Sequence, residues 1–121
     1  MKRTITTATA ALLFALTACG SGGDYEDLVE RCGLTDNPHV TIDEGGQTLT
    51  FTLDVKDRGR GVGVKDAKCL NKPQEVPDSV EAKIMETSTI DGMQSASWGN
   101  TKLEWAYDGS EKTLLLIYSA L

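Results

Sequence analysis

Thr48-Leu49-Thr50-Phe51-Thr52-Leu53-Asp54-Val55 alternates polar and apolar residues at every step. A period of two places Leu49, Phe51, Leu53 and Val55 on one face of a strand. Thr48, Thr50, Thr52 and Asp54 fall on the other. Upstream, Val40-Thr41-Ile42 alternates in the same way, and Asp43-Glu44-Gly45-Gly46-Gln47 between the two runs is rich in turn formers. Together they predict a β-hairpin with one buried apolar face and one wet, threonine-rich face.

Working outward, Asp24 to Arg31 predicts a short helix. Asp24 is placed to cap it, Asp27 adds an acid three residues on, and Gly33 stops it. Tyr25, Leu28, Val29 and Cys32 share one helical face. Downstream, Asp57-Arg58-Gly59-Arg60-Gly61-Val62-Gly63 breaks the strand pattern and predicts a mobile loop. A short helix is expected near Lys65 to Leu70. Another starts at Val76-Pro77-Asp78, with Pro77 near its first turn, where a missing N–H costs nothing. Val80 and Ile84 would line its buried side, and it fades at Thr87-Ser88-Thr89; Asp91-Gly92 signals a turn. Strands follow at Ala96-Ser97-Trp98 and from Lys102 to Tyr107, where Leu103, Trp105 and Tyr107 alternate with polar or small residues. Asp108-Gly109-Ser110-Glu111-Lys112 turns the chain into Leu114-Leu115-Leu116-Ile117-Tyr118, a run apolar enough to be central in a sheet or covered on both faces. The expectation is one small α+β domain over residues 24–121, mainly antiparallel sheet with about two helices packed on one face.

Residues 1–18 have a different character. Lys2 and Arg3 precede 15 uncharged residues, Thr4 to Ala18, with an apolar centre from Ala10 to Leu16. That is the layout of a signal peptide, and it falls short of the roughly 20 residues that span a bilayer as a helix. The stretch ends in Leu16-Thr17-Ala18-Cys19, which resembles the lipobox of bacterial lipoproteins. The resemblance implies cleavage before Cys19, a diacylglyceryl group on its thiol and further acylation of the palmitate type. It implies a protein exported and held by lipid on the outer face of the cell membrane, or at the outer membrane of a Gram-negative cell. Two or more chains would hold it stably, since each buried methylene contributes about 0.8 kcal/mol. An ordinary secretory signal with a chance cysteine is the alternative. Gly20-Ser21-Gly22-Gly23 then reads as a flexible tether.

Maturation would leave 103 residues, enough for one domain. Losing Lys2 and Arg3 takes the basic count from 12 to 10 against 18 acidic side chains, a net charge of −8. That balance argues against nucleic acid, whose binding needs clustered Lys and Arg, and against electrostatic adhesion to anionic lipid. With Cys19 assigned to lipid, Cys32 and Cys69 remain as a pair in an oxidising compartment, and a disulfide is expected. Closing a loop of about 38 residues would contribute roughly 4 kcal/mol by chain entropy, an upper figure. Two buried free thiols are the alternative.

A second resemblance covers roughly the C-terminal half. Val76-Pro77-Asp78-Ser79-Val80, then Thr89-Ile90-Asp91-Gly92-Met93-Gln94-Ser95-Ala96-Ser97-Trp98, then Trp105-Ala106-Tyr107 are similar to runs in small secreted proteins and lipoproteins of actinobacteria. Those proteins continue the last motif with His-Pro, whereas Tyr107 is followed here by Asp108-Gly109. The resemblance implies fold and export, and carries no site residue.

Chemistry-bearing motifs are few. His39 is the one histidine and follows Pro38 before a strand, which suits a solvated loop position better than a metal ligand. No Gly-x-Ser-x-Gly elbow presents a nucleophile. Arg58 to Gly63 lacks the Gly-Lys-Ser/Thr of a phosphate loop. Catalytic, cofactor and metal residues are therefore expected to be absent. Trp98, Trp105, Tyr107 and Tyr118 are aromatics on strand faces, which favours core; any left exposed would form a recognition patch, for which Trp98, Trp105 and Tyr107 are the candidates. The leading expectation is a non-enzymatic module binding a protein or wall component at the cell envelope, with phage exclusion as a version of it if the gene is carried by a prophage. An accessory structural lipoprotein and a small carboxylate-based hydrolase are the alternatives.

Overall fold

A computed structural model of the chain describes residues 24–43 and 45–121. The leader, Cys19, the tether and the Asp24 side chain lie outside the described residues. Helix α1 (Asp24–Arg31) is followed by strands β1 (Val40–Ile42) and β2 (Thr48–Asp54) and by helix α2 (Val64–Asn71). A 3-10 turn (Lys72–Gln74), helix α3 (Asp78–Glu86) and a second 3-10 turn (Thr89–Asp91) lead into β3 (Gln94–Trp98), β4 (Thr101–Asp108) and β5 (Thr113–Ala120). The strands form one antiparallel sheet in the order β1-β2-β5-β4-β3. The most apolar run, β5, is its central strand, inserted between the β1–β2 and β3–β4 hairpins.

Strand alternation decides which side chains meet the helices. Phe51, Leu116 and Trp105 stand in one row across β2, β5 and β4, and Leu49, Tyr118 and Leu103 in the next. All six are buried, together with Leu28 and Val29 of α1, Ala67 and Leu70 of α2 and Val80 of α3. The helices thus cover one face, as a two-layer α+β domain requires. The opposite face of β5 carries Leu115 and Ile117, which are half-buried among Thr50, Thr52, Glu104 and Ala106 on the neighbouring strands.

Helix α1 ends where its sequence says. Gly33, at φ 73°, donates its N–H to the Glu30 carbonyl, and Leu34 N–H reaches back to Val29. These are the two bonds of a glycine-terminated helix stop, with Leu34 tucked into the core. Cys32 therefore faces inward and is joined to Cys69 of α2 across a Cα–Cα distance of 5.9 Å.

Two expectations fail around the end of β2. Val55 continues the alternation in sequence but lies past the strand and is 51% exposed. The glycine-rich segment after it is a built turn rather than a loose loop, and Asp54 is the reason. This aspartate has the parity of the wet face, yet it is fully buried. One carboxylate oxygen accepts the Lys56 N–H at 3.0 Å; the other accepts the N–H groups of Arg58 at 2.7 Å and Arg60 at 3.0 Å. Val62 then pairs with Leu53 as a parallel bridge and is buried.

Candidate functional site

The aromatic residues singled out in the sequence mostly brace the two layers against each other. Trp105 is 1% exposed, and its indole N–H donates to the Thr87 hydroxyl at 2.8 Å, just past the end of α3. Tyr118 is buried and donates to the Asn71 side-chain oxygen of α2 at 2.7 Å. Burial pushes its phenol above the ordinary range, and the nearby Tyr25 and Glu81 add to the shift. Trp98 is half-buried and donates to the Gln74 carbonyl at 2.8 Å. Tyr107 is half-buried against the same core. An exposed patch of Trp98, Trp105 and Tyr107 therefore does not form: the rings share the face that the helices cover.

The carboxylates with shifted pKa values are turn-makers. Asp43 accepts the N–H groups of Gln47 and Thr48, and Asp108 accepts from Ser110 and Glu111. The Gln47 backbone bond holds the Asp43 carboxyl below its usual range, and the Ser110 hydroxyl bond does the same for Asp108. For Asp54 the leading cause is the Arg60 N–H, followed by those of Arg58 and Lys56 and the Arg58 charge; burial opposes them. Both arginines reach Glu111: Arg60 pairs with its carboxylate at 2.6 Å, and Arg58 donates to its backbone carbonyl at 2.6 Å.

His39 is half-buried before β1, and its backbone N–H donates to the Asn37 side chain at 2.8 Å. Among the described residues no three His, Cys, Asp or Glu side chains are grouped as metal ligands, and no helix is long and apolar enough to cross a membrane.

Two concave regions remain. A cavity of about 440 Å³ opens at the end of the sheet where the turns before β2 and β4 meet α1, lined by Tyr25, Asp27, Arg31, Gln47, Gln74 and Asn100 among others. Asp27 and Arg31 form an exposed ion pair one helical turn apart at 3.1 Å. The side-chain amides of Gln47 and Asn100 carry no hydrogen bond among the described residues, so this cavity presents free donors and acceptors beside an aromatic ring. A smaller cleft of about 300 Å³ lies between α3 and β3, lined by Lys83, Glu86, Thr87, Asp91, Gln94, Ser95 and Trp105.

The smaller cleft adjoins a feature not singled out in the sequence. Ile90 is 93% exposed, Met85 83% and Met93 52%, and each is the chain neighbour of a residue lining that cleft. Ile90 is held out by its backbone. Ser88 and Asp91 cap the 3-10 turn reciprocally, the Asp91 carboxylate accepting the Ser88 N–H at 2.7 Å. A sequence signal did exist: Met85 lies off the Val80–Ile84 stripe, and Ile90 sits between turn formers.

No protein-family model, curated protein or solved structure matches the chain. The site must therefore be read from its own chemistry.

Proposed function

We propose that the chain is the precursor of a lipid-anchored extracytoplasmic protein whose folded domain is an interaction module directed at another protein of the cell envelope. The exposure of Ile90, Met85 and Met93 carries the interaction part. Scattered single apolar residues are ordinary on a surface; three within nine residues, one of them fixed on a capped turn, favour a recognition surface. Address rests on Lys2-Arg3, the uncharged stretch and the lipobox-like Leu16-Thr17-Ala18-Cys19. The Cys32–Cys69 bridge supports it, because disulfides persist in oxidising compartments. The likeness to actinobacterial secreted proteins suits the same address.

A second reading has its own observation. The unbonded amides of Gln47 and Asn100 beside Tyr25 would suit a neutral hydroxyl-rich or peptidic wall component in the larger cavity.

The test of address is metabolic labelling of cells with a palmitate analogue, followed by fractionation. Wild-type protein is expected in the membrane fraction and labelled, and Cys19→Ala to lose the label. An unlabelled wild-type protein released into the medium would refute the anchor.

A further inference from the structure

Strand β3 is an edge strand. It pairs with β4 from Gln94↔Trp105 to Trp98↔Thr101, and among the described residues no backbone hydrogen bond leaves its other side. Open edges are templates for a further strand, and proteins usually blunt them with charge, proline, bulges or shortness. The opposite edge, β1, is only three residues long. By contrast β3 has five residues, Gln-Ser-Ala-Ser-Trp, with no charge and no proline. Its Ser95 and Ser97 side chains are exposed and small, leaving the backbone accessible.

The 300 Å³ cleft meets the start of this edge, where Gln94 and Ser95 line it together with Lys83 and Glu86 of α3. Glu86 and Asp91 line it against the single cation of Lys83, and the Asp91 carboxylate already accepts the N–H and hydroxyl of Ser88. Ile90 and Met93 project from the turn that leads into the strand.

With the interaction role above as its premise, we infer that β3 accepts an extended segment of a partner protein as a sixth strand. The segment carries a Lys or Arg for the Glu86–Asp91 cleft, next to an apolar residue that packs on Ile90 and Met93. Main-chain bonds along the edge supply affinity, while the alternating side chains supply selectivity. Charge separates this occupant from a second copy of the same chain. Self-pairing along β3 would bring two acidic clefts together on domains already rich in carboxylates, whereas a basic segment neutralises them.

The experiment places a photoreactive amino acid, p-benzoylphenylalanine, at Ile90, at Ser97, or at the controls Thr41 on the β1 edge and Asn100 at the larger cavity. The full lipidated chain is expressed in its own cells. Positions 90 and 97 are expected to capture the same protein through a peptide with Lys or Arg beside an apolar residue. A synthetic copy of that peptide should bind the purified domain, and Ser95→Lys/Ser97→Lys and Glu86→Gln should each weaken binding by about tenfold or more with unchanged melting. Crosslinking at 90 or 97 to a second copy of the chain, or to phospholipid, would overturn the inference. So would capture only at Thr41 or Asn100, which would leave the interaction role standing with another surface. No capture at any position would remove both.

Discussion

At the scale of single residues, Asp54 differs most from what its pattern suggests. Alternation assigns it to water. The chain instead folds over it, and three N–H groups converge on its carboxylate. The signal was present in part, since Asp followed by a glycine-rich run is a turn former. What strand periodicity does not encode is the hydrogen-bond demand of the residues beyond the strand. The consequence is a dependence on pH. The folded-state pKa values of Asp43, Asp54 and Asp108 all lie below the unfolded carboxylate value, so their ionised forms stabilise the fold. That contribution is complete above the unfolded pKa of about 3.9 and is lost as pH falls through the lower folded values. Melting temperature is expected to be flat in this respect from neutral pH down to about 5, then to drop steeply below about 4. Asp54→Asn should melt lower than wild type at pH 7 and show a shallower acid limb. Equal slopes in circular-dichroism melts of the two proteins at pH 7, 4 and 3 would discount the Asp54 carboxylate.

Among the elements, those made by local pattern were legible and those made by distant contacts were not. The β1–β2 hairpin, the stop of α1 at Gly33, Pro77 just before α3 and the central place of β5 all follow from period, capping and turn chemistry. The segment after β2 did not, because its order depends on Val62 closing back onto Leu53. Val62 donates to the Thr52 carbonyl at 2.7 Å and accepts from the Asp54 N–H at 2.9 Å. Gly61 makes that approach possible, since a Cβ there would overlap the Thr52 carbonyl oxygen. Gly61→Ala is accordingly expected to cost about 1–3 kcal/mol, as a forced backbone shift does. Urea unfolding checks it, with Gly59→Ser as a comparison: Gly59 has open space around it but a positive φ of 82°. A Gly61→Ala midpoint equal to wild type would mean that the turn relaxes freely. The aromatic strands teach a related lesson. Parity places Trp105 with Leu103, but only the helices reveal that this face is closed, which makes Trp105 a core residue and a poor probe of binding.

For the whole molecule, the class and layer arrangement could be read from the order of elements, whereas the open edge of the sheet could not. Edge status is a property of the sheet order, and β3 becomes an edge only because β5 takes the centre. The covalent link could be anticipated only by setting Cys19 aside, and it joins the residue after the first helix to the second helix across a separation of 37 residues. A domain of about 100 residues has a modest core, so the bridge is expected to contribute about 2–4 kcal/mol. Cys32→Ser/Cys69→Ser should unfold at correspondingly lower urea with an unchanged native far-ultraviolet spectrum. Identical midpoints for the bridged and bridgeless proteins would show that the helical layer holds without it.

The position of that bridge has a mechanical consequence. Any pull arriving from the N-terminal side enters along α1 and reaches Cys32 within nine residues of Asp24. There the covalent load path divides, and the S–S bond carries force directly to Cys69 and on into α2. Residues 33–68, which include β1, β2 and the turn built on Asp54, form a closed loop in parallel with that bond, sheltered from tension. A domain pulled between its N-terminal side and a grip at β3 would therefore carry the covalent load through α1, the bridge, α2 and α3, while the first hairpin and the strands after β3 lie outside that path.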